Sequence, residues 1–405
     1  MKILIVTDLA VETGRGAVSR FAHVLPELAA RADVVVVGLG EADDLCREAL
    51  ERSAVTIHRL PFAMDGWKVR QLPSLVGRIA EICREERPDL VVLYWEIWDL
   101  MHALPRTLDG IPFMYMPHSM PFLDSMERPS RSFALDFVRR LATERRSFAL
   151  RHMLTHVHQA GLLGTLPRIV INETVGFYLE RYFPKAPTVR ALPGYAIDLP
   201  SVRAAVSGRK HYDVAFMAKL IAGKGIFELL EAVHRLRVRR LDVRAVVIGS
   251  FEDEPTRLKF LALRKRYGLT DAVELAGWLA GAEKFRVLAS ARVFCCPTIS
   301  NDTFNQCLLE ALACGLPAVC YDMPYVRAVY GDAPAVRSVP FKDRQAMADG
   351  LDELLARADG GTAPVEFAKR YSSWPAAAVA EIQAYQAFLG RSRDVGAERP
   401  LASGG

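Results

Sequence analysis

The chain has 405 residues, 51% of them hydrophobic and 24% charged, with a formal net charge of +5. That length and balance predict two globular domains with large buried sheets and exclude a disordered chain or one small core. Lys and Arg are scattered, which argues against nucleic acid as a partner; the seven cysteines, with no C-x-x-C, fit neither a disulfide framework nor a zinc ribbon, so a cytoplasmic setting is expected.

Met1 leads directly into the strand-like Lys2–Asp8, with no charged leader before an apolar region and no apolar run of membrane-spanning length, so neither export nor a membrane span is expected. Further β-branched runs follow at Asp33–Leu39, Val55–Leu60, Asp89–Trp95, Pro112–Met116 and Arg168–Asn172. Segments with helical spacing, such as Val18–Ala30 and Val69–Glu86, separate them, an order that predicts a parallel sheet covered on both faces.

The loop after the first strand carries Gly14 and Gly16 ahead of a helix. A dinucleotide fingerprint is not met, because Ser19 stands in the third glycine position and several residues separate the strand from Gly14. His118 follows the apolar strand Pro112–Met116, which predicts a place at a strand's carboxyl end. Arg128–Arg151 carries seven arginines with Phe133, Phe137, Leu141 and Phe148 near helical spacing. It reads either as a face for anionic lipid or as a core helix with a solvated outer side, and the second reading is favoured. His152, His156 and His158 form the one metal-like spacing, but no Cys or carboxylate pattern completes it, so no metal site is expected.

The Pro- and Gly-containing segment Leu192–Pro200 reads as a linker, and the strand–helix pattern then restarts. Expected strands are Asp213–Ala218, Arg244–Gly249, Val273–Gly277, Val293–Pro297 and Ala318–Tyr321. The expected organisation is α/β with two doubly wound, Rossmann-like domains, 1–200 and 201–375. A C-terminal helix at 376–390, able to cross back to the first domain, and a disordered tail at 391–405 complete it. Two such domains make a cleft, where function is expected.

Chemistry concentrates in the second half. The strand ending at Ala218 leads into Lys219-Leu-Ile-Ala-Gly-Lys224-Gly225 and then an amphipathic helix. Two ammonium groups at a glycine turn, with a helix N-terminus, suit a diphosphate; the alternative is a pair of solvated loop charges. A P-loop is excluded because Gly225, not Ser or Thr, follows Lys224. Further on, Pro297 ends a strand and a helix is expected over Thr303–Ala313, with Asp302 placed to cap it and Gly315 and Pro317 to stop it. Glu310, near the face shared by Phe304 and Cys307, could accept both hydroxyls of a ribose; on the plainer reading it is a partly buried helix residue.

These two stretches resemble the retaining glycosyltransferases of family 4, which have the GT-B fold. The family pattern G-R-L-x-x-x-K-G-x-x-x-L-x-x-A is approximated by Ala218-Lys219-Leu220 through Lys224-Gly225 to Leu229 and Ala232. The family's E-x7-E element looks like Asp302-Thr303-Phe304-Asn305 through Glu310-Ala311 to Gly315 and Pro317. The resemblance implies that Glu310 binds the donor ribose, Lys219 and Lys224 the diphosphate, and Asp302 the hydroxyls of the transferred sugar. It also implies that the backbone at Phe304 and Asn305 meets the distal phosphate, that Gly16 approaches donor or acceptor, and that His118 contacts sugar or acceptor from an acceptor-binding N-terminal domain. Lys219 replaces the family's Arg and keeps charge without the bidentate fork; Asp302 replaces Glu, and Thr303 and Asn305 replace glycines, all around the donor sugar.

The function implied is transfer of a hexosyl unit from a UDP- or GDP-sugar to an acceptor hydroxyl, with retention and without metal or cofactor. The acceptor is a glycan, a lipid-linked sugar or a small molecule, in polysaccharide or glycoconjugate biosynthesis, with peripheral contact at an anionic inner membrane face as an option. The alternatives are a nucleotide-sugar epimerase of the same fold, disfavoured by the E-x7-E-like element, and a non-catalytic nucleotide-sugar-binding protein.

Overall fold

A computed structural model describes residues 1–9, 16–42, 44–61, 68–94, 97–118, 157–206, 209–300, 302–357 and 361–397. The described residues form two compact units: one from the chain's start through 196 plus the stretch from Trp374 onward, the other Ile197–Ser373.

The first unit is built on seven parallel strands: β1 Lys2–Asp8, β2 Asp33–Leu39, β3 Thr56–Leu60, β4 Leu90–Tyr94, β5 Phe113–Met116, β6 Arg168–Val170 and β7 Thr188–Arg190, in the order 3-2-1-4-5-6-7. β1 lies inside the sheet, with Ile3 opposite Val34 on one side and Leu90 on the other. Ile3 to Val6 and Leu90 to Leu93 have no exposed surface, as unbroken apolar runs require when helices cover both faces of a parallel sheet. Towards the edges β3 and β7 carry half-exposed residues.

The second unit repeats the plan. Its strands are β8 Tyr212–Met217, β9 Ala245–Ile248, β10 Val273–Gly277, β11 Ala291–Cys296, β12 Ala318–Tyr321 and β13 Val336–Val339, all parallel, in the order 10-9-8-11-12-13. In each sheet the chain starts in the middle, winds to one edge, then returns to wind to the other. The reversal separates β1 from β4 in the first sheet and β8 from β11 in the second. At such a switch point the loops leaving two neighbouring strands diverge, which opens a crevice at their carboxyl ends. The edge strands β7 and β13 were not expected from the sequence.

The last helix, Trp374–Ala397, belongs to the first unit, where it packs on the helix Gly16–Ala29 and on β7. It runs beyond Gly390 into the segment read as disordered tail, where no proline occurs before Pro400. Arg20 and Glu381, both without exposed side-chain surface, form an ion pair between these two helices. The Arg20 Nε also donates to the Gly194 carbonyl at 2.6 Å, and Glu381 accepts from the hydroxyls of Tyr94 and Tyr385. Among the described residues no helix is long and apolar enough to cross a membrane.

Candidate active site

The loops leaving β8 and β11, the two strands at the second switch point, carry Lys219, Lys224 and Asp302, and the helix after the second loop carries Glu310. After β8 the chain pairs briefly with the loop following β9: the Leu220 amide donates to the Ser250 carbonyl at 2.9 Å. A short turn, Ala222–Lys224, then closes on Gly225. Gly225 has φ +82°, and a Cβ there would sit 1.9 Å from the Pro297 carbonyl oxygen, so only glycine lets this turn rest on the loop that leaves β11. The contact continues through the Gly223 carbonyl, which accepts from the amides of Ile299 and Ser300 at 2.9 and 3.0 Å. Backbone thus locks the two loops together, and Lys224 is brought beside Asp302.

The Lys224 Nζ lies 2.6 Å from Asp302 Oδ2. Burial lowers the pKa of the Lys224 ammonium, but the Asp302 carboxylate more than offsets it, so the group stays cationic at neutral pH. The other oxygen of Asp302 accepts from the backbone amides of Asn305, at 3.1 Å, and Phe304, at 3.4 Å. One carboxylate therefore sits where an ammonium and two amides converge, a seat with the chemistry for an anion.

The helix that follows starts later than expected. It spans Gln306–Ala313, and its cap is Asn305, at φ +57°, whose side-chain oxygen accepts from the Leu308 amide at 3.1 Å. Asp302 is not the cap, because Lys224 and the two amides engage its carboxylate. The Asn305 amide nitrogen points back to β11, 3.2 Å from Cys296 Sγ and 3.4 Å from the hydroxyls of Thr298 and Tyr325. Phe304 correspondingly lies outside the helix, and its buried ring packs edge-on against Tyr371, with centroids 5.5 Å apart.

Glu310 lies within that helix, its Oε1 2.9 Å from the Nζ of Lys284, a residue the sequence reading passed over. Lys284 stands on the helix Gly281–Ala289, which follows β10. Cys307, on the same helix as Glu310, feels the charges of both ion pairs. Burial and the Glu310 carboxylate push its thiol up to about 12, while the Lys224 and Lys284 ammoniums pull the other way. Lys219 turns elsewhere: its Nζ is 3.0 Å from Glu252 Oε1, in the loop following β9.

The first unit holds the other two candidates. Gly16 heads the helix Gly16–Ala29. His118 follows β5 and is buried, its Nδ1 3.4 Å from the Tyr195 hydroxyl. Burial, with a smaller contribution from the Arg20 guanidinium, holds His118 well below the usual imidazole range, so its ring is neutral. His152, His156 and the segment Arg128–Arg151 lie outside the described residues; His158 lies beside His102, ring centroids 4.8 Å apart. Among the described residues no group of three or more His, Cys, Asp or Glu could hold a metal ion.

Two family models match the chain: "Glycosyl transferase 4-like domain" over residues 15–164 and "Glycosyl transferases group 1" over residues 211–357. These are glycosyltransferase domains. The second takes in the charged residues of the switch-point cluster, Lys224, Lys284, Asp302 and Glu310, and Lys219 as well. A phosphatidyl-myo-inositol mannosyltransferase from Mycobacterium leprae is 32% identical over 132 residues, 33% of this chain and 34% of that protein. A D-inositol 3-phosphate glycosyltransferase from Corynebacterium urealyticum is 25% identical over 49% of this chain and 50% of that protein. The chain thus spans between about a third and a half of these relatives. Among solved structures, sucrose-phosphate synthase from Thermosynechococcus elongatus superposes with a TM-score of 0.71 at 17% identity, over 96% of this chain and 100% of that one. Anabaena HepE in complex with UDP superposes at 0.67 with 15% identity and the same coverage. With both Rossmann-like sheets present, the glycosyltransferase domains have the GT-B fold.

Proposed function

We propose that this chain transfers a hexosyl unit from a UDP- or GDP-linked sugar to an acceptor hydroxyl, with retention of anomeric configuration and without a metal ion. The observation that carries the reading is the convergence of Lys224, Asp302 and the amides of Phe304 and Asn305 at the second switch point, on the helix that also bears Glu310. In this reading the donor's diphosphate is held by Lys224, by Lys219 swung away from Glu252, and by the N-terminus of the helix Ile226–Arg237, which has no side-chain cap. The distal phosphate takes the two amides, freeing Asp302 for the hydroxyls of the sugar. Glu310 accepts from the ribose. Lysines and helix ends then stabilise the departing diphosphate, and the remaining rate enhancement comes from positioning.

His118, neutral, serves as a hydrogen-bond partner for sugar or acceptor rather than as a cation, and Gly16 lets backbone approach them. The two relatives, a phosphatidyl-myo-inositol mannosyltransferase and a D-inositol 3-phosphate glycosyltransferase, favour mannose as the sugar and an inositol-bearing lipid or related glycan as the acceptor class. A lipid acceptor would bring the protein to a membrane surface at least transiently.

A panel of UDP- and GDP-sugars screened by thermal shift, followed by donor hydrolysis and transfer assays with any that stabilise the protein, tests the reading. Lys224→Ala and Glu310→Ala are each expected to abolish transfer while leaving cooperative unfolding intact. An active Lys224→Ala enzyme would remove the diphosphate role, and donor binding without hydrolysis or transfer would mark a binding protein instead.

A further inference from the structure

The pair Lys284–Glu310 joins two helices that follow different strands of the second sheet, β10 and β11. Both side chains are largely buried, 22% and 12% exposed. The Lys284 ammonium also lies 4.7 Å from the centre of the Phe285 ring, so the lysine is held on two sides. Only Oε1 of Glu310 is engaged by it; among the described residues Oε2 accepts no hydrogen bond. The carboxylate is therefore fixed by one oxygen and open at the other. Its ion-pair partner among the described residues is Lys284 from the neighbouring helix, and Cys307 on its own helix feels the charges of Glu310, Lys284 and Lys224 together.

We propose that Lys284 is a positioning residue for the nucleoside end of the donor: it fixes Oε1 of Glu310 so that the lone pairs left over, chiefly those of Oε2, face the cis-diol of a ribose. The proposal rests on the reading that Glu310 binds that ribose. A freely rotating carboxylate would lose side-chain freedom each time it engaged a diol; one already held by an ammonium does not, and the difference appears as affinity and as selectivity for ribose over deoxyribose. Lys284 itself touches no reacting atom in this scheme. Its removal should therefore raise the donor KM with little change in kcat, whereas loss of Lys224 strikes kcat.

The test is calorimetric titration of UDP and GDP, each against its 2′-deoxy counterpart, into wild type, Glu310→Gln, Lys284→Met and Lys284→Arg. The wild type is expected to prefer the ribonucleotide about tenfold or more, the range for a hydrogen bond to a charged acceptor. Glu310→Gln should lose most of that preference. Lys284→Met should weaken ribonucleotide binding about three- to tenfold and narrow the preference, and Lys284→Arg should restore both in large part. Lys284→Gln, a neutral donor, replaces the Met variant if that fails to fold, with the same expectation. If Glu310→Gln loses the preference but Lys284→Met keeps it in full, the role of Lys284 is overturned and the ribose reading stands. If neither diphosphate binds, or Glu310→Gln keeps the full preference, the ribose reading falls and the proposal with it.

Discussion

His118 packs at the carboxyl end of β5, its ring centroid 6.3 Å from that of Tyr94 and its Nδ1 near the Tyr195 hydroxyl. Burial and the Arg20 guanidinium keep it neutral when the chain is folded. Once unfolded, the same ring takes up a proton below the ordinary imidazole pKa of about 6.5. The folded pKa is thus the depressed one, the unfolded state binds more protons on the acid side, and stability falls as pH drops through 6.5. At one unfilled proton per molecule the slope is about 1.4 kcal/mol per pH unit, so roughly 2 kcal/mol is lost between pH 6.5 and 5. His118→Gln keeps polar atoms in the same space without titrating. Its unfolding free energy, measured by urea denaturation from pH 7.5 to 5, should fall by about 2 kcal/mol less than that of the wild type. Parallel pH slopes for the two proteins would show that His118 is not held neutral.

Among the elements, the helix Gln306–Ala313 shows why a start site is hard to read from a sequence. Asp302 and Asn305 are both good capping residues, and choosing between them needs the fold: Lys224, far off in sequence, engages Asp302 and leaves the cap to Asn305. Asn305 also needs a backbone that tolerates φ +57°, which Asn accepts and Ala resists. Asn305→Ala should therefore cost about 1–3 kcal/mol, from a lost cap and a strained backbone. Asn305→Gly, which relieves the strain and is itself a passable cap, should cost less than half as much. Thermal unfolding of the two variants decides it; equal losses would mean that the side-chain bonds to β11 and not the backbone set the cost. The same limit explains what else was legible. Central strands such as Ile3–Val6 declare themselves as unbroken apolar runs, while β7 and β13, three and four residues long with exposed positions, carry no such signal. The lysine turn and Glu310 were visible as motifs because their spacing is local. Lys284 was not, since what marks it is a partner on another helix.

At the scale of the whole chain, Arg20 and Glu381 stand 361 positions apart and meet with no exposed side-chain surface. The first unit thus closes only when the last helix returns to it, and its stability depends on residues from both ends of the sequence. The guanidinium is surrounded by the Gly194 carbonyl, the Met116 sulfur, the Tyr94 ring and the Glu381 carboxylate, of which only the last carries a compensating charge. Burial works against the charged guanidinium, and the carboxylate more than reverses this, so the pKa of Arg20 is raised and the guanidinium stays charged. Removing one partner strands a charge in the core, which costs about 3–5 kcal/mol; removing both charges costs far less. Glu381→Gln leaves an acceptor for the Tyr94 and Tyr385 hydroxyls but strands Arg20, so it should lose most of that energy in urea denaturation. Adding Arg20→Met should recover more than half of the loss despite deleting a second polar group, because what destabilises the single variant is the unpaired charge. A double variant less stable than Glu381→Gln alone would instead make the arginine's bond to Gly194 the dominant contact, and the return of the last helix would rest on packing.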